Sequence, residues 1–270
     1  MPESPLILVG AGNMGGALLQ GWVARGLAPI IVIEPQPSRA IARLATRHRI
    51  AIRPHLTRLD GARPRACVIA LKPQVLADEA AKFAPLAKTG VPMISIAAGM
   101  TIPSLTREWG PKARIIRAMP NVAGAIGKGI TGLYAGANAR ASERKLAEAL
   151  LSPLGKTIWL KREALIDSVT AVSGSGPAYF FLMAEALAEA GVREGLPRPV
   201  AHALARETLI GAGALLAIDG RKPEELRKSV TSRGGTTEAA LDVLLGKSGL
   251  KPLIARAVRA ARRRGAALGR

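Results

Sequence analysis

The chain has 270 residues, 49% of them hydrophobic, with 39 Lys+Arg against 19 Asp+Glu for a formal net charge of +20. That apolar content excludes a disordered chain and fits one large or two modest domains. Aromatic residues make up only 3%, which disfavours a base-stacking surface, and the single cysteine, Cys67, excludes an internal disulfide. So basic a balance first suggests a polyanionic partner. The excess is spread over both halves, however, with an Arg-rich stretch at 39–65 and a basic tail at 251–270. An Arg-rich solvated surface is therefore preferred to a nucleic-acid partner. No basic leader precedes the first apolar run, and no uninterrupted apolar stretch reaches the roughly 18 residues a membrane span needs. A cytoplasmic protein with no membrane partner is expected.

In chain order, Leu6-Ile7-Leu8-Val9 predicts a buried strand, and helical spacing at Ala17, Leu18, Gly21 and Trp22 predicts a helix after it. Further strands are predicted over 30–33, 67–71, 93–97 and 114–117, with a helix over 38–49. This alternation over residues 1–160 describes an α/β Rossmann domain, a parallel sheet covered on both faces. Residues 161–270 instead predict helices at 165–191, 197–219, 223–230, 236–245 and 250–267, an all-α C-terminal domain. The stretches 180–190 and 210–218 are apolar on nearly every face, which points to a dimer interface or to one central core helix.

Between the first strand and its helix lies Gly10-Ala11-Gly12-Asn13-Met14-Gly15. A G-x-G-x-x-G run in that setting allows a tight turn, close approach to a pyrophosphate and close helix packing, with helix N–H groups facing the phosphates. Glu34 ends the second strand about 20 residues on, where a carboxylate accepts hydrogen bonds from the adenosine ribose and points to NADH. Arg39, Arg43 and Arg47 share one face of the next helix, read either as a solvated face or as placing Arg39 to reach a 2′-phosphate, which would point to NADPH. The cofactor is NADPH or NADH. Two later strand ends also fall at the ligand-binding edge: Ala70-Leu71-Lys72-Pro73, with Lys72 read as facing the cofactor or as an ordinary strand-end lysine, and Arg117-Ala118-Met119-Pro120-Asn121. Asn121 is read either as orienting the nicotinamide or a water, or as a turn residue. In the second domain, Ser173-Gly174-Ser175-Gly176 and Ser232-Arg233-Gly234-Gly235-Thr236-Thr237 combine hydroxyls and glycines at helix starts, which suits an anion or plain capping.

These segments, with residues 96–99 and Thr170, occur in the order of pyrroline-5-carboxylate reductase, a family that the sequence closely resembles over nearly its full length. The resemblance implies hydride transfer from NAD(P)H to the C=N bond of 1-pyrroline-5-carboxylate, giving L-proline, by a homodimer that associates further in some members. It adds Ala98 to the cofactor contacts. It assigns the substrate carboxylate to Gly235, Thr236 and Thr237, and it places Thr170 and Glu163 as catalytic groups near the ring nitrogen, Glu163 being otherwise a helix N-terminal carboxylate. No metal-ligand cluster or Ser/His/Asp set is evident. Two positions depart from the family pattern: Arg233 stands where the loop usually has Pro, and Ser229 where members often have Asn. A related imine or keto-acid reductase, or a nucleotide-binding regulator without chemistry, would lack these hydroxyl loops.

Overall fold

The computed structural model describes residues 4–56 and 63–268, which group into two compact units, 1–174 with 261–270, and 175–260. The described part of the first unit includes residues 161–174 and 261–268.

The strands of the first unit are β1 (Leu6–Val9), β2 (Ile30–Ile33), β3 (Ala51–Arg53), β4 (Ala66–Ile69), β5 (Pro92–Ser95), β6 (Arg114–Met119), β7 (Gly129–Ala135) and β8 (Gly155–Trp159). They form one sheet in the order β3-β2-β1-β4-β5-β6-β7-β8. The first six follow the doubly wound 3-2-1-4-5-6 order and are parallel. β1 and β4 are buried at every residue, as continuous apolar runs at the centre of a parallel sheet require. β3, β7 and β8 are additions to the sequence reading, and β7 runs antiparallel to β6, so the sheet is mixed rather than wholly parallel.

Helices of this unit are α1 (Asn13–Ala24), α2 (Arg39–His48), α3 (Pro73–Glu79), α4 (Ala84–Lys88), α5 (Ile102–Trp109), α6 (Ala141–Leu151) and α7 (Leu165–Val169). Two cores result, one on each face of the sheet. One gathers Leu8, Leu18, Trp22, Val68 and Leu150; the other gathers Ile7, Ile69, Leu76, Phe83 and Trp109. Fully buried Trp22 donates its indole N–H to the Leu150 carbonyl at 2.7 Å, tying α1 to the end of α6. That bond and the close seat of Gly21 on Pro153 fix α1, and with it the glycine turn at its start.

The helix expected over 165–191 is interrupted. α7 gives way to a π-helical turn, Thr170–Gly174, before α8 (Gly176–Arg193) begins the second unit. Three contacts hold the segment to the sheet. A Cβ at Gly132 would lie 2.9 Å from Val169 Cγ1, a Cβ at Gly174 would lie 2.9 Å from Met119 Cε, and Arg117 reaches Glu163. Small residues at 132 and 174 therefore let α7 and its π turn approach β7 and the end of β6.

The second unit contains α8, α9 (Arg198–Ile218), α10 (Pro223–Ser229), α11 (Thr236–Leu245) and most of α12 (Leu250–Leu268). α8 and α9 pack on each other yet leave Phe180, Phe181, Leu182, Ile210 and Leu215 more than half exposed. α9 is also long and apolar enough, by length and composition, to cross a membrane. Arg206 and Glu207 interrupt its sequence, so a search for an unbroken apolar run passes over it.

Candidate functional site: a dinucleotide edge and a hydroxyl loop

At the carboxyl end of β1 the chain turns sharply at Gly10, with φ +84°. The Gly10 N–H donates to Ile33 O at 2.9 Å, fastening the turn to β2. The three glycines do different work. Gly10 takes a backbone conformation that side chains disfavour and has no space for one, since a Cβ would lie 2.8 Å from Ala70 O. At Gly15 a Cβ would sit 2.0 Å from Gly10 O, so only glycine lets α1 close on the turn. A Cβ at Gly12 would meet nothing within 4 Å, which leaves open space where a ligand backbone can approach. Gly12 caps α1 without a side-chain bond, and no acid lies in the first turn. Its terminal N–H groups and positive dipole end are left for an anion.

Glu34 stands at the end of β2 and is half-buried. Its Oε2 accepts the Ala11 N–H at 2.8 Å and its Oε1 accepts the Gln36 N–H at 3.1 Å. The carboxylate thus braces the glycine turn directly, a contact that spacing alone did not reveal. Ser38 caps α2 by accepting the Ile41 N–H, and Arg39, Arg43 and Arg47 all lie exposed on that helix. Ala70 donates its N–H to Val9 O at 2.7 Å, which sets the 70–73 segment beside the turn. Leu71 is partly buried, exposed Lys72 caps α3, and Pro73 opens it. The adjacent β5 edge carries Ala97, whose N–H donates to Ser95 Oγ, then half-buried Ala98 and Gly99 at φ +74°. The strand ends of β1, β2, β4 and β5 therefore bring together Gly10, Ala11, Gly12, Asn13, Met14, Gly15, Glu34, Ala70, Leu71, Lys72 and Ala98.

Other predicted residues sit differently. Asn121 precedes a 3₁₀ turn, and its buried Oδ1 lies beside Gly129 with no hydrogen-bond partner, inside the β6–β7 connection. Thr170 Oγ1 donates to Ile166 O at 2.9 Å. Glu163 is paired. Its Oε1 accepts both the Arg117 Nη1 proton and the Ile102 N–H, each at 2.7 Å. One oxygen of the carboxylate is thus engaged by a largely buried ion pair and a backbone bond, contacts that the sequence reading did not include. Arg117, 3% exposed in the middle of an apolar strand, is the residue sequence reasoning underrated. A lone cation among Ile115, Ile116 and Ala118 is the signal that a buried carboxylate partner exists.

In the second unit, the 232–237 loop turns at Gly234, φ +71°, and Gly235 caps α11. Gly235 donates its N–H to Ser232 O at 3.1 Å, and a Cβ there would lie 2.4 Å from Ser232 Oγ. Exposed Thr236 and half-buried Thr237 then open the helix. Glu238 Oε2 accepts the Gly234 N–H at 2.6 Å, so one loop donor is already taken by an acid the sequence reading did not single out. Arg233 is exposed, and Ser229 Oγ donates to Leu226 O within its own helix. Among the described residues no cluster of three or more His, Cys, Asp and Glu side chains is arranged to hold a metal ion.

Comparison with known proteins agrees with this architecture. A family model described as pyrroline-5-carboxylate reductase dimerisation matches residues 163–268, and one described as NADP oxidoreductase, coenzyme F420-dependent, matches residues 6–99. The pyrroline-5-carboxylate reductase of Pseudomonas aeruginosa is 38% identical over 99% of this chain and 98% of its own, and that of Synechocystis is 38% identical over 97% of both. The solved pyrroline-5-carboxylate reductase of Coxiella burnetii superposes with a TM-score of 0.88 at 32% identity over 99% of each chain. That of Plasmodium falciparum, solved with NADP bound, superposes with a TM-score of 0.80 at 26% identity over 100% of each. With 38% identity along essentially its whole length, the chain belongs to the pyrroline-5-carboxylate reductase family.

Proposed function

We propose that the chain reduces 1-pyrroline-5-carboxylate to L-proline, the last step of proline biosynthesis, with NADPH or NADH as the reductant. The observation that carries this reading is the whole-chain similarity to reductases of that name, which extends through both the glycine turn and the hydroxyl loop. The residues at the dinucleotide edge suit the cofactor: Gly12 offers open space, the start of α1 offers unpaired N–H groups, and Glu34 and Arg39 flank the place of the adenosine ribose. When bound, the dinucleotide supplies the hydride.

The chain's own groups bind and orient. Thr236 and Thr237 hold the substrate carboxylate through N–H and hydroxyl donors at the start of α11, where the helix dipole favours the negative charge, and Gly235 at the cap lets the carboxylate approach the main chain. The Thr170 hydroxyl donates its hydrogen bond to Ile166 O, so its lone pairs remain to accept. In that state it orients the N–H of a protonated imine and does not protonate the ring. Hydride addition to such an iminium carbon yields the neutral secondary amine directly, and the amine then takes a second proton from water. Atoms and charge balance without an enzyme acid, consistent with the commitment of Glu163 to Arg117.

The cofactor is assigned to the first unit and the carboxylate to the second. The exposed apolar faces of α8 and α9 form the homodimer interface, which also accounts for the apolar length of α9 without a bilayer. The expected location is the cytoplasm.

The test follows NADH or NADPH oxidation with 1-pyrroline-5-carboxylate. Wild type is expected to oxidise one or both only when substrate is present. Thr237→Ala is expected to lower kcat/KM for the substrate by about tenfold to a hundredfold, the loss of one hydrogen bond to a charged group. Absence of substrate-dependent oxidation by folded wild type with either cofactor refutes the reading.

A further inference from the structure

The end of α12 leaves the helical unit and packs within the first. Two glycine positions show how closely. A Cβ at Gly99 would lie 3.1 Å from Leu268 O and 3.2 Å from Leu268 Cβ, and Gly99 itself is at φ +74°. A Cβ at Gly265 would lie 3.8 Å from Asp167 Oδ1 and 3.9 Å from its Cβ. Residues 265 and 268, three apart, share a helix face. That face touches two segments that the site uses: the β5 edge, where Ala98 precedes Gly99, and α7, where Asp167 lies three residues before Thr170. The three arginines between Ala261 and Gly265 are exposed and take no part in this contact.

We infer that the last turn of α12, through the Leu268 main chain and Cβ, positions the 96–99 loop for the dinucleotide. This inference rests on the proposal that Ala98 borders the cofactor. Loop 96–99 has a glycine at positive φ and half-buried neighbours at Ala98 and Met100, so its last residues need an outside support. The Leu268 carbonyl and Cβ supply it on the side where a side chain at residue 99 would stand. Because the contact is made by the main chain and Cβ, it tolerates changes in the remainder of the Leu268 side chain, itself 49% exposed.

The experiment uses the full-length enzyme, a truncation lacking residues 267–270, Leu268→Ala, Gly99→Ala, and the truncation combined with Gly99→Ala. NADH and NADPH binding is read directly by fluorescence, beside kcat, KM for each substrate, melting temperature and mass in solution. The truncation is expected to raise the dinucleotide Kd and KM about fivefold while melting temperature and mass stay unchanged. Leu268→Ala keeps both contacting atoms and is expected to match wild type. Gly99→Ala is expected to weaken dinucleotide binding, and adding the truncation is expected to worsen it less than the two separate effects predict, as for groups in contact. Unchanged dinucleotide binding in the truncation, strict additivity in the double variant, or a loss matched by Leu268→Ala overturns the inference. So does a KM increase accompanied by lower melting temperature or altered mass. Failure of wild type to bind either dinucleotide would instead overturn the cofactor reading beneath it.

Discussion

Replacing Glu163 by Gln separates an anchoring carboxylate from a catalytic one. Glu163 Oε1 lies 2.7 Å from Arg117 Nη1 and accepts the Ile102 N–H at the same distance. The two side chains are 22% and 4% exposed, so the guanidinium has almost no access to water. Its Nη2 already lacks a partner. Gln preserves the shape and an acceptor for Ile102 but leaves the buried Arg117 cation facing a neutral amide. Removing one partner of a buried pair costs about 3–5 kcal/mol, and the partial exposure of Glu163 puts the expectation near the lower end, about 3 kcal/mol. For a unit of this size that corresponds to a fall in melting temperature of roughly 6–12 °C. Calorimetry or circular dichroism measures it. The double variant Arg117→Met with Glu163→Leu removes both charges and is expected to be more stable than Glu163→Gln alone, because no uncompensated ion remains. Below the melting range, Glu163→Gln is expected to retain kcat within about threefold, the pH dependence of kcat being unchanged because no proton is passed by this group. A melting temperature equal to wild type, together with a kcat reduced a hundredfold or more, would refute the anchoring argument and return Glu163 to the chemistry.

Glu34→Ala removes the carboxylate that braces Ala11 and that we propose meets the ribose; it is expected to raise KM for NADH about tenfold, as loss of a charge-assisted hydrogen bond does, and to shift preference toward NADPH. An unchanged ratio of kcat/KM for the two cofactors would remove Glu34 from the ribose. Cys67 is fully buried in β4, and desolvation pushes its thiol far above the ordinary range, so native protein is expected to resist an aromatic disulfide reagent that labels one thiol per chain after unfolding. Because the folded pKa is raised, the unfolded chain loses the proton first. Stability is then unaffected below about pH 8 and falls by about 1.4 kcal/mol per pH unit above about pH 9, a slope that Cys67→Ala should abolish. Ile210→Arg places a charge on the exposed apolar face of α9 and is expected to give monomers by light scattering; an unchanged dimer would move the interface elsewhere.

The features legible in the sequence are those written in neighbouring residues. The run Leu6–Val9 and the glycine turn after it are set by hydrophobicity and by φ, both local, and the structure places them as expected. The acid at the end of β2 is legible for the same reason, since strand and helix lengths fix its distance from the turn. β7 and β8 escaped because their patterns are weak: Gly132 interrupts β7 to admit Val169, and β8 alternates only between exposed and half-buried positions. The helix over 165–191 was read straight through because Thr170 to Gly174 do keep helical hydrogen bonding, only in the wider π register, and no residue type marks that register.

The partner of Glu163 was hidden for the same reason. An acid near a helix start and close to a reactive threonine looks alike whether it meets substrate or an arginine on β6, and only the tertiary fold brings Arg117 to it across 46 positions. The burial of that arginine was nevertheless signalled, since an uninterrupted apolar strand rarely accepts a cation without a partner. The return of α12 to the first unit carried no such signal: Gly265 and Gly99 are ordinary glycines in sequence, and their meaning lies in what would collide with a side chain there. Local chemistry thus marks the candidate ligand-facing groups, while the packing roles of Gly132, Gly174 and Leu268 show only in contacts distant in sequence.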